Sequence, residues 1–429
     1  MLWTAAVGSV VAFLIALEFL ARHYGVLGPV TDQVREVVFA PKSWPLLYGC
    51  LALAAITLPW RQRFLALGAA LGIDLVFLLV RWICGAQQNF GSGALWVVLA
   101  CGVIAVTRRT GRDRTLLLKG VGLGLLLVAG RKAGYTWLFI TSETRLMVLD
   151  QYVALADHAL GSPSWVVGRL VRASGTVGFH VLEYVYIQLA GAAVLVSLYQ
   201  LRNVAAEGRF PRHHLVRTFL AIGALGPAFY LLYPVVGPIY AYGADGGVWA
   251  MADLWPNTPT PTGLPQPMPF DGITPRNCMP SLHTAWATAI FIHSRQGPRW
   301  MRYGGTFWLA ATLTVTLGFG YHYGADLIAG VVFTLTIEAA LRAQARGWDR
   351  SATWLTGYGA VVFAGLLAAY RYLPVEMAAH PWAAGPLLLL ALGSVIRLYV
   401  RTTRQWESGF VPAQRTGPAV RPGLSVPAP

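Results

Sequence analysis

Charged residues are scarce in this chain: 12% of its 429 residues are charged, whereas 56% are hydrophobic. A soluble domain carries about 25% charged residues, so this composition excludes an ordinary soluble fold. Cysteine is also rare, and the four residues Cys50, Cys84, Cys101 and Cys278 show no metal-ligand spacing. We therefore infer neither a zinc site nor a disulfide framework from the sequence.

Long apolar runs separate the few charged residues. Each run has roughly the 20 residues that span a bilayer as a helix. They begin near Leu2, Trp44, Phe64, Gly93, Leu116, Val177, Val216, Ser281, Thr306, Asp326, Trp354 and Trp382. The sequence thus predicts an all-α, polytopic membrane protein of about twelve transmembrane helices.

The positive charge, formally +15, lies in arginine clusters between these runs, such as Arg108, Arg109, Arg112 and Arg114. Clusters of this kind follow the positive-inside rule and form no single basic face for nucleic acid. We expect no nucleic-acid partner. We expect instead an integral protein of a bacterial plasma membrane with both termini in the cytoplasm.

Two short stretches, Arg276–His283 and Gly320–Asp326, place a histidine at or just before the start of an apolar run. Ionisable groups in membrane segments usually mark functional sites. On the expected topology both runs start at the external side. Their helix N-termini would present free N–H groups there, which favour anions.

The spacing within these stretches predicts a catalytic role for three residues. His322 and Asp326 are four residues apart, so a carboxylate can hold one imidazole nitrogen protonated and leave the other as a nucleophile. His283 could protonate a departing alkoxide as a general acid.

Phosphorus is the electrophile that this arrangement favours, because phosphoryl transfer needs fixed cations around its oxygens. Arg131, Lys132 and Arg276 map to the external side, where basic residues should be few, and we predict that they bind phosphate together with Ser281. Three other arginines on that side, Arg145, Arg169 and Arg172, are explained equally well by snorkelling to headgroups.

Between Tyr242 and Pro280 the chain is crowded with proline, which fixes φ and removes a donor. We predict an extended, stiff segment that is either a spacer or a lid over the site. For the whole chain we predict four parts: 1–114, about four N-terminal helices; 115–343, the catalytic core; 344–410, two C-terminal helices; and 411–429, a disordered tail.

Around the two histidine motifs the chain resembles a known family. Pro280–His283, with the letters PSLH, and the HxxxD pattern of His322–Asp326 resemble the second and third motifs of the type 2 phosphatidic acid phosphatase superfamily. The leucine before His283 and the preceding Arg-Asn-x-Met are similar to the inositol phosphorylceramide synthase branch, as are Tyr233–Ala241 and Leu149–Ser164. The resemblance covers roughly Leu116 to Arg342.

The resemblance implies a six-helix phosphatase-like core, a membrane lipid substrate and no metal or organic cofactor. It implies a phosphohistidine on His322, orientation by Asp326 and proton donation by His283. Two departures stand out. Val315 and Thr316 replace the usual Ser-Arg before the third motif, and the first motif, Lys-x6-Arg-Pro, is absent because Phe139 lies at that distance from Lys132.

Several alternatives stay open at this stage. An alcohol or lipid acceptor would make the protein a headgroup transferase, which the branch favours, and water would make it a phosphatase. A transporter is a weaker alternative, because carriers place their binding residues near the midplane between repeats and no repeat is visible. The sequence assigns no role to Asp74. His180 and Glu183 fit either a headgroup contact or a buried cluster.

Overall fold

The computed structural model describes residues 2–38, 44–243 and 263–408. In chain order its helices are α1 (Leu2–His23), α2 (Pro29–Val38), α3 (Trp44–Ala55), α4 (Trp60–Ile83), α5 (Ser92–Thr107), α6 (Gly111–Thr144), α7 (Asp150–His158), α8 (Pro163–Ala173), α9 (Gly175–Ile187), α10 (Leu189–Leu201), α11 (Val204–Glu207), α12 (Leu215–Leu232), α13 (Pro238–Tyr242), α14 (Leu282–Ser294), α15 (Arg299–Gly318), α16 (Gly324–Arg346), α17 (Arg350–Tyr372), α18 (Pro374–Ala379) and α19 (Pro381–Ser408).

The predicted all-α membrane fold is confirmed. Among the described residues, six helices are long and apolar enough to cross a bilayer by length and composition: Trp60–Ile83, Leu189–Glu207, Leu215–Leu232, Gly324–Arg346, Arg350–Tyr372 and Pro381–Glu407. Trp44–Ala55 and Ser92–Thr107 are shorter apolar helices. The sequence predicted about twelve spanning helices. Half that number meet the criterion of length and composition among the described residues.

The apolar run that starts near Val177 contains a break that its hydropathy did not predict. It was expected as one spanning helix, but the structure divides it into α9 and α10 at Gln188. The run expected near Thr306 belongs to α15, which already begins at Arg299. Hydropathy averages over a window and therefore does not detect a local break or a polar first turn.

Helices α3 to α6 pack around a core of their own. Glycines let α6 approach α3 closely: a Cβ on Gly120 would lie 2.7 Å from the carbonyl oxygen of Leu53, and one on Gly124 would lie 2.8 Å from that of Cys50. Small residues at such contacts are typical of helix packing in membranes. The predicted division between residues 114 and 115 falls in the first turn of α6, and the four-part division stays a prediction.

Helix α16 lies at the centre of the main core and contacts α7, α12, α14, α17 and α19. Of the six apolar spans it is the most deeply buried. Gly330 brings it against the start of α14, because a Cβ there would lie 2.6 Å from the carbonyl oxygen of Ser281. The first turns of α14 and α16 are joined directly where the Ser281 N–H donates to the Asp326 carbonyl, at 3.3 Å.

The described residues include a two-stranded antiparallel sheet. Strand β1 (Met147–Val148) pairs with β2 (Met268–Pro269), so that Met147 faces Pro269 and Val148 faces Met268. The described part of the proline-rich segment, 263–280, contains β2 and no helix, as its proline content predicted. The rest of that segment, 244–262, and the predicted disordered tail from 411 onward lie outside the described residues.

Candidate active site

The histidines of the two motifs lie next to each other. The ring centroids of His283 and His322 are 6.5 Å apart, with 60° between the ring planes. His283 lies in the first turn of α14, and His322 lies two residues before α16. The two imidazoles can therefore reach one bound group from different sides.

Ser281 fixes the start of α14 as its N-cap. Its hydroxyl accepts a hydrogen bond from the Thr284 N–H at 3.3 Å and donates to the Thr284 hydroxyl at 3.0 Å. The side chain is completely buried. Because these contacts occupy the hydroxyl, the structure assigns Ser281 to helix capping, and we leave it out of the phosphate site that the sequence predicted.

The backbone of His322 is held on both sides. Its N–H donates to the Thr316 carbonyl at 3.0 Å, and its own carbonyl accepts from the Ser164 hydroxyl at 2.8 Å. Thr316 belongs to α15 and Ser164 to α8. The position of the ring is therefore set by three elements that are distant in sequence, which no local pattern could indicate.

Nδ1 of His322 faces two groups. The Asp326 carboxylate lies 3.4 Å from it, as the four-residue spacing predicted. The sulfur of Cys278 is closer, at 3.2 Å. The thiol in turn donates to Oδ2 of Asp326 at 2.6 Å, and the Tyr323 N–H donates to the same oxygen at 2.9 Å.

These contacts decide which nitrogen of His322 carries the proton. Since the thiol hydrogen is directed at Asp326, the sulfur offers only lone pairs to Nδ1, and the carboxylate is also an acceptor. Nδ1 is then the N–H, and Nε2 keeps its lone pair. Nε2 makes no hydrogen bond within the described residues, and burial lowers the pKa of His322 to about 4, so the ring is neutral at neutral pH.

His283 is held by Tyr186 of α9. The two rings stack with centroids 4.1 Å apart and 20° between their planes, and the phenol oxygen lies 3.3 Å from Nδ1. This contact leaves Nε2 of His283 free to carry or deliver a proton. Tyr186 therefore orients the histidine that the sequence analysis proposed as general acid.

Two buried aspartates of α7 brace the start of α16. Asp157 accepts from the Ala325 N–H at 3.2 Å, and Asp150 accepts from the Tyr323 hydroxyl at 2.9 Å. Asp150 also binds the N–H groups of Val236 and Gly237. The first turn of α16 is thus partly capped by carboxylates of the chain itself, which corrects the expectation that its N–H groups are free for an anionic ligand.

Burial dominates the electrostatics of these two aspartates. It raises the pKa of Asp150 to about 6. Burial and then the nearby Asp326 raise the pKa of Asp157 to about 7. Burial thus disfavours the ionised form of both carboxylates.

Arg276 is completely buried and holds the loop that leads to α14. Its guanidinium donates to the backbone carbonyls of Arg145, at 3.0 Å, and of Asp271 and Thr274. These acceptors occupy all three guanidinium nitrogens. The structure therefore gives Arg276 a role in joining the loop to the end of α6, and we do not retain it as a phosphate ligand.

Lys132 and Arg131 have acidic partners in the structure. The Lys132 ammonium lies 2.5 Å from Asp32 and 2.6 Å from Glu36, both on α2. Arg131 is half exposed, with its guanidinium 4.0 Å from Glu36. The ion pairs explain how the costly lysine is accommodated in an apolar helix, and the structure does not bring either residue to the histidine pair.

As a result, the site is poor in positive charge. Within the described residues, no arginine or lysine forms a hydrogen bond or ion pair with His283, His322 or Asp326. The segment 244–262 contains neither arginine nor lysine in its sequence.

Sequence reasoning missed Cys278, Asp150, Asp157, Ser164 and Tyr186. Two signals existed for the aspartates: their presence in a mainly apolar stretch and the resemblance of Leu149–Ser164 to the synthase branch. Cys278 was set aside because it lacked metal spacing. The exposed pair His180 and Glu183, 3.2 Å apart, forms no buried cluster.

Asp74, which had no role assigned from the sequence, holds the start of α5. Its Oδ1 accepts from the N–H groups of Gly91 and Gly93 at 3.1 and 2.8 Å, and its Oδ2 accepts from the Tyr48 hydroxyl at 2.7 Å. Asp74 thus joins α3, α4 and α5, and its role is structural.

A second buried histidine cluster lies three turns further along α16. Glu338 receives Nε2 of His293 at 2.7 Å, Nε2 of His213 at 3.0 Å and the Thr218 hydroxyl at 2.6 Å. The Arg342 guanidinium lies 3.5 Å from it. We call these five residues the Glu338 cluster.

Within the described part of the chain, two groups could hold a metal ion by donor type and distance: Cys278, His322 and Asp326, and His213, His293 and Glu338. Nitrogen, sulfur and carboxylate oxygen are the ligands that zinc uses. Both groups also form hydrogen-bond networks. In the second group the Leu215 N–H fixes the Gln200 amide so that its NH₂ faces Nδ1 of His293, at 2.9 Å, which leaves the hydrogen on Nε2 and opposes metal binding there.

Comparison with known families agrees with this geometry. Residues 151–340 match the PAP2 superfamily. The match supports the type 2 phosphatidic acid phosphatase superfamily for this part of the chain, including both histidine motifs of the PAP2 region. Residues 1–140 match a domain of unknown function, DUF5933. No curated protein and no solved structure matched the chain.

Proposed function

We propose that the protein is an integral membrane phosphotransferase that transfers a phospho-headgroup, similar to inositol phosphate, from a membrane lipid through a phosphohistidine on His322. The observation that carries the proposal is the neighbouring pair of imidazoles, His322 with a free Nε2 and His283 at a centroid distance of 6.5 Å. The PAP2 match over residues 151–340 supports phosphatase-type chemistry.

In the first step Nε2 of His322 attacks the lipid phosphorus. A nitrogen–phosphorus bond forms, the bond between phosphorus and the lipid oxygen breaks, and the oxygen takes the proton of His283. Asp326 and Cys278 stabilise the positive charge that develops on His322. An anionic phosphate next to His283 favours its protonated form, which the step requires.

In the second step the hydroxyl of an acceptor attacks the phosphohistidine. The proton of that hydroxyl returns to His283, the new oxygen–phosphorus bond forms and the nitrogen–phosphorus bond breaks. With an alcohol or lipid as acceptor the product is a new phosphodiester. With water the same two steps release a phosphomonoester or inorganic phosphate, which is the phosphatase alternative.

The scarcity of cations favours a phosphodiester donor. A phosphomonoester carries a charge of about −1.5 to −2 at pH 7, whereas a diester carries a single negative charge. Since Arg276 and Lys132 have other partners in the structure, a dianion would meet few positive groups near the two imidazoles within the described residues. A monoanionic diester needs less compensation, which supports headgroup transfer over hydrolysis of phosphatidic acid.

We place the site at the external face of the membrane. The support is the positive-inside pattern of the arginine clusters, which assigns the starts of α14 and α16 to that side. Labelling of single cysteines in the loops flanking these helices, in intact cells, would test the orientation.

The proposal is tested by incubating the purified protein in lipid nanodiscs with a panel of donors. The panel contains phosphatidic acid and phosphodiester lipids with polyol, amine and quaternary ammonium headgroups, each with and without an alcohol acceptor. We expect turnover of a diester lipid and an acceptor-dependent product, with acid-labile label on histidine that is lost in His322→Ala. Absence of turnover across the panel would contradict the enzyme proposal. Preference for phosphatidic acid with water would establish the phosphatase alternative.

A further inference from the structure

We infer that Cys278 is a positioning residue for the nucleophile: its thiol bridges His322 and Asp326 and holds Nδ1 of His322 protonated. The inference rests on the proposed function. The sulfur contacts both partners, at 3.2 Å from Nδ1 and 2.6 Å from Oδ2 of Asp326.

The direct contact between imidazole and carboxylate is long. Nδ1 and Oδ2 are 3.4 Å apart, beyond the usual range of a hydrogen bond between nitrogen and oxygen. The thiol fills this position, accepting from Nδ1–H and donating to the carboxylate. A chain of two hydrogen bonds therefore connects Asp326 to the nucleophile in addition to the charge of the carboxylate.

The surroundings of Cys278 suit this role. The residue is completely buried, and its sulfur lies 3.3 Å from the Tyr321 carbonyl. The Cys278 N–H donates to the Val235 carbonyl at 3.1 Å, which fixes the backbone from which the thiol extends.

The position of Cys278 couples the two motifs. It lies five residues before His283, so the same short segment supplies the general acid and the group that orients the nucleophile. Oδ1 of Asp326 is buried and has no hydrogen-bond partner among the described residues. The carboxylate is thus held through Oδ2 alone, by the Cys278 thiol and the Tyr323 N–H, and loss of the thiol leaves a single donor.

The test compares Cys278→Ala and Cys278→Ser with a matched control, Cys101→Ala. Cys101 is a buried cysteine in the separate core of α3 to α6 and contacts no residue of the site. A serine hydroxyl can accept and donate as the thiol does, whereas alanine can do neither. We expect Cys278→Ala to lower kcat about tenfold with KM within about twofold of wild type, the size expected for one hydrogen bond to the reacting group.

Cys278→Ser should recover at least about a third of the wild-type kcat, since it restores both hydrogen bonds. Thermal unfolding in detergent separates orientation from folding, because a purely structural role would lower stability without a selective loss of kcat. Wild-type kcat in a folded Cys278→Ala protein would overturn the inference while leaving the phosphohistidine mechanism intact. Equal losses in the serine and alanine variants would also contradict it.

The outcome is distinguishable from failure of the proposed function. If wild-type protein turns over no lipid of the panel and no label appears on histidine, the function is wrong. A labelled wild-type protein with an unchanged Cys278→Ala variant removes only the role of Cys278.

Discussion

Helix α16 carries two buried clusters of histidine and carboxylate, and they differ in one respect. At its first turn Asp326 faces His322, which keeps one ring nitrogen free, near the second ring of His283. Twelve residues later, about 18 Å along the helix, both oxygens of Glu338 receive donors from His293, His213 and Thr218, with Arg342 beside them.

The difference separates a reactive arrangement from a stabilising one. In the Glu338 cluster the Nε2 atoms of both histidines are directed at the carboxylate, and these contacts join the loop before α12 to α14 and α16. In the first cluster Nδ1 alone faces the carboxylate, and Nε2 is available to a substrate. Similar residues in similar burial thus have different uses, according to which ring nitrogen is left without a partner.

The largest effect is expected from His322→Ala. Loss of the nucleophile should lower kcat more than about 10³-fold. We expect the protein to stay folded in the membrane, although the buried ring and its Nδ1 contact with Cys278 are lost. The matched control is His293→Ala in the Glu338 cluster, which should unfold at lower temperature yet keep its turnover per folded molecule. Equal activity of the two variants would contradict the proposed difference between a reactive and a stabilising cluster.

Asp326→Asn should have the next largest effect. The amide can present an N–H to Nδ1 and favour the tautomer with the hydrogen on Nε2, so we expect kcat to fall about 10²-fold with KM nearly unchanged. Steady-state kinetics on the preferred lipid measure this. A rise in KM at constant kcat would contradict an orienting role.

The pH dependence should be smaller, and its acid limb should report the protonation of His322. Burial lowers the pKa of His322 to about 4, so its lone pair is lost only as the pH falls through that value. The acid limb of kcat/KM should therefore lie near pH 4 rather than near pH 6.5, the usual value for histidine. An acid limb of kcat/KM between pH 6 and 7, with no matching change in substrate binding, would contradict the lowered pKa of His322. It would show that water reaches the His322 ring in the working enzyme.

The smallest effect on activity is expected from Glu338→Ala. Removing the carboxylate takes away the shared acceptor of His213 and His293 and leaves Arg342 with the exposed Glu407 as its acidic partner. Breaking a buried ion pair costs about 3 kcal/mol. We expect a melting temperature at least about 4 °C lower, and kcat per folded molecule within about twofold, since distant sites act independently. A selective loss of kcat would instead link the two ends of α16.

Hydropathy and motif spacing predicted the class of fold and the two histidines, because helix length and the four-residue repeat are local properties. They could not predict the partners of Arg276 and Lys132. From sequence, a basic residue on the expected external side is interpreted as a phosphate ligand. In the structure Arg276 binds one backbone carbonyl 131 residues away, at Arg145, and two in its own loop. Lys132 binds carboxylates about 100 residues away.

The sequence by itself determined that the chain is a helical membrane protein. It also determined the candidate catalytic residues, His283, His322 and Asp326. Composition and short spacings contain that information, since they reflect bilayer thickness and helix geometry. Only the tertiary structure decided that Cys278 lies between His322 and Asp326, that Asp157 occupies the start of α16, and that the expected phosphate ligands bind elsewhere. Those contacts join segments far apart in the chain, and packing of whole helices against one another determines them.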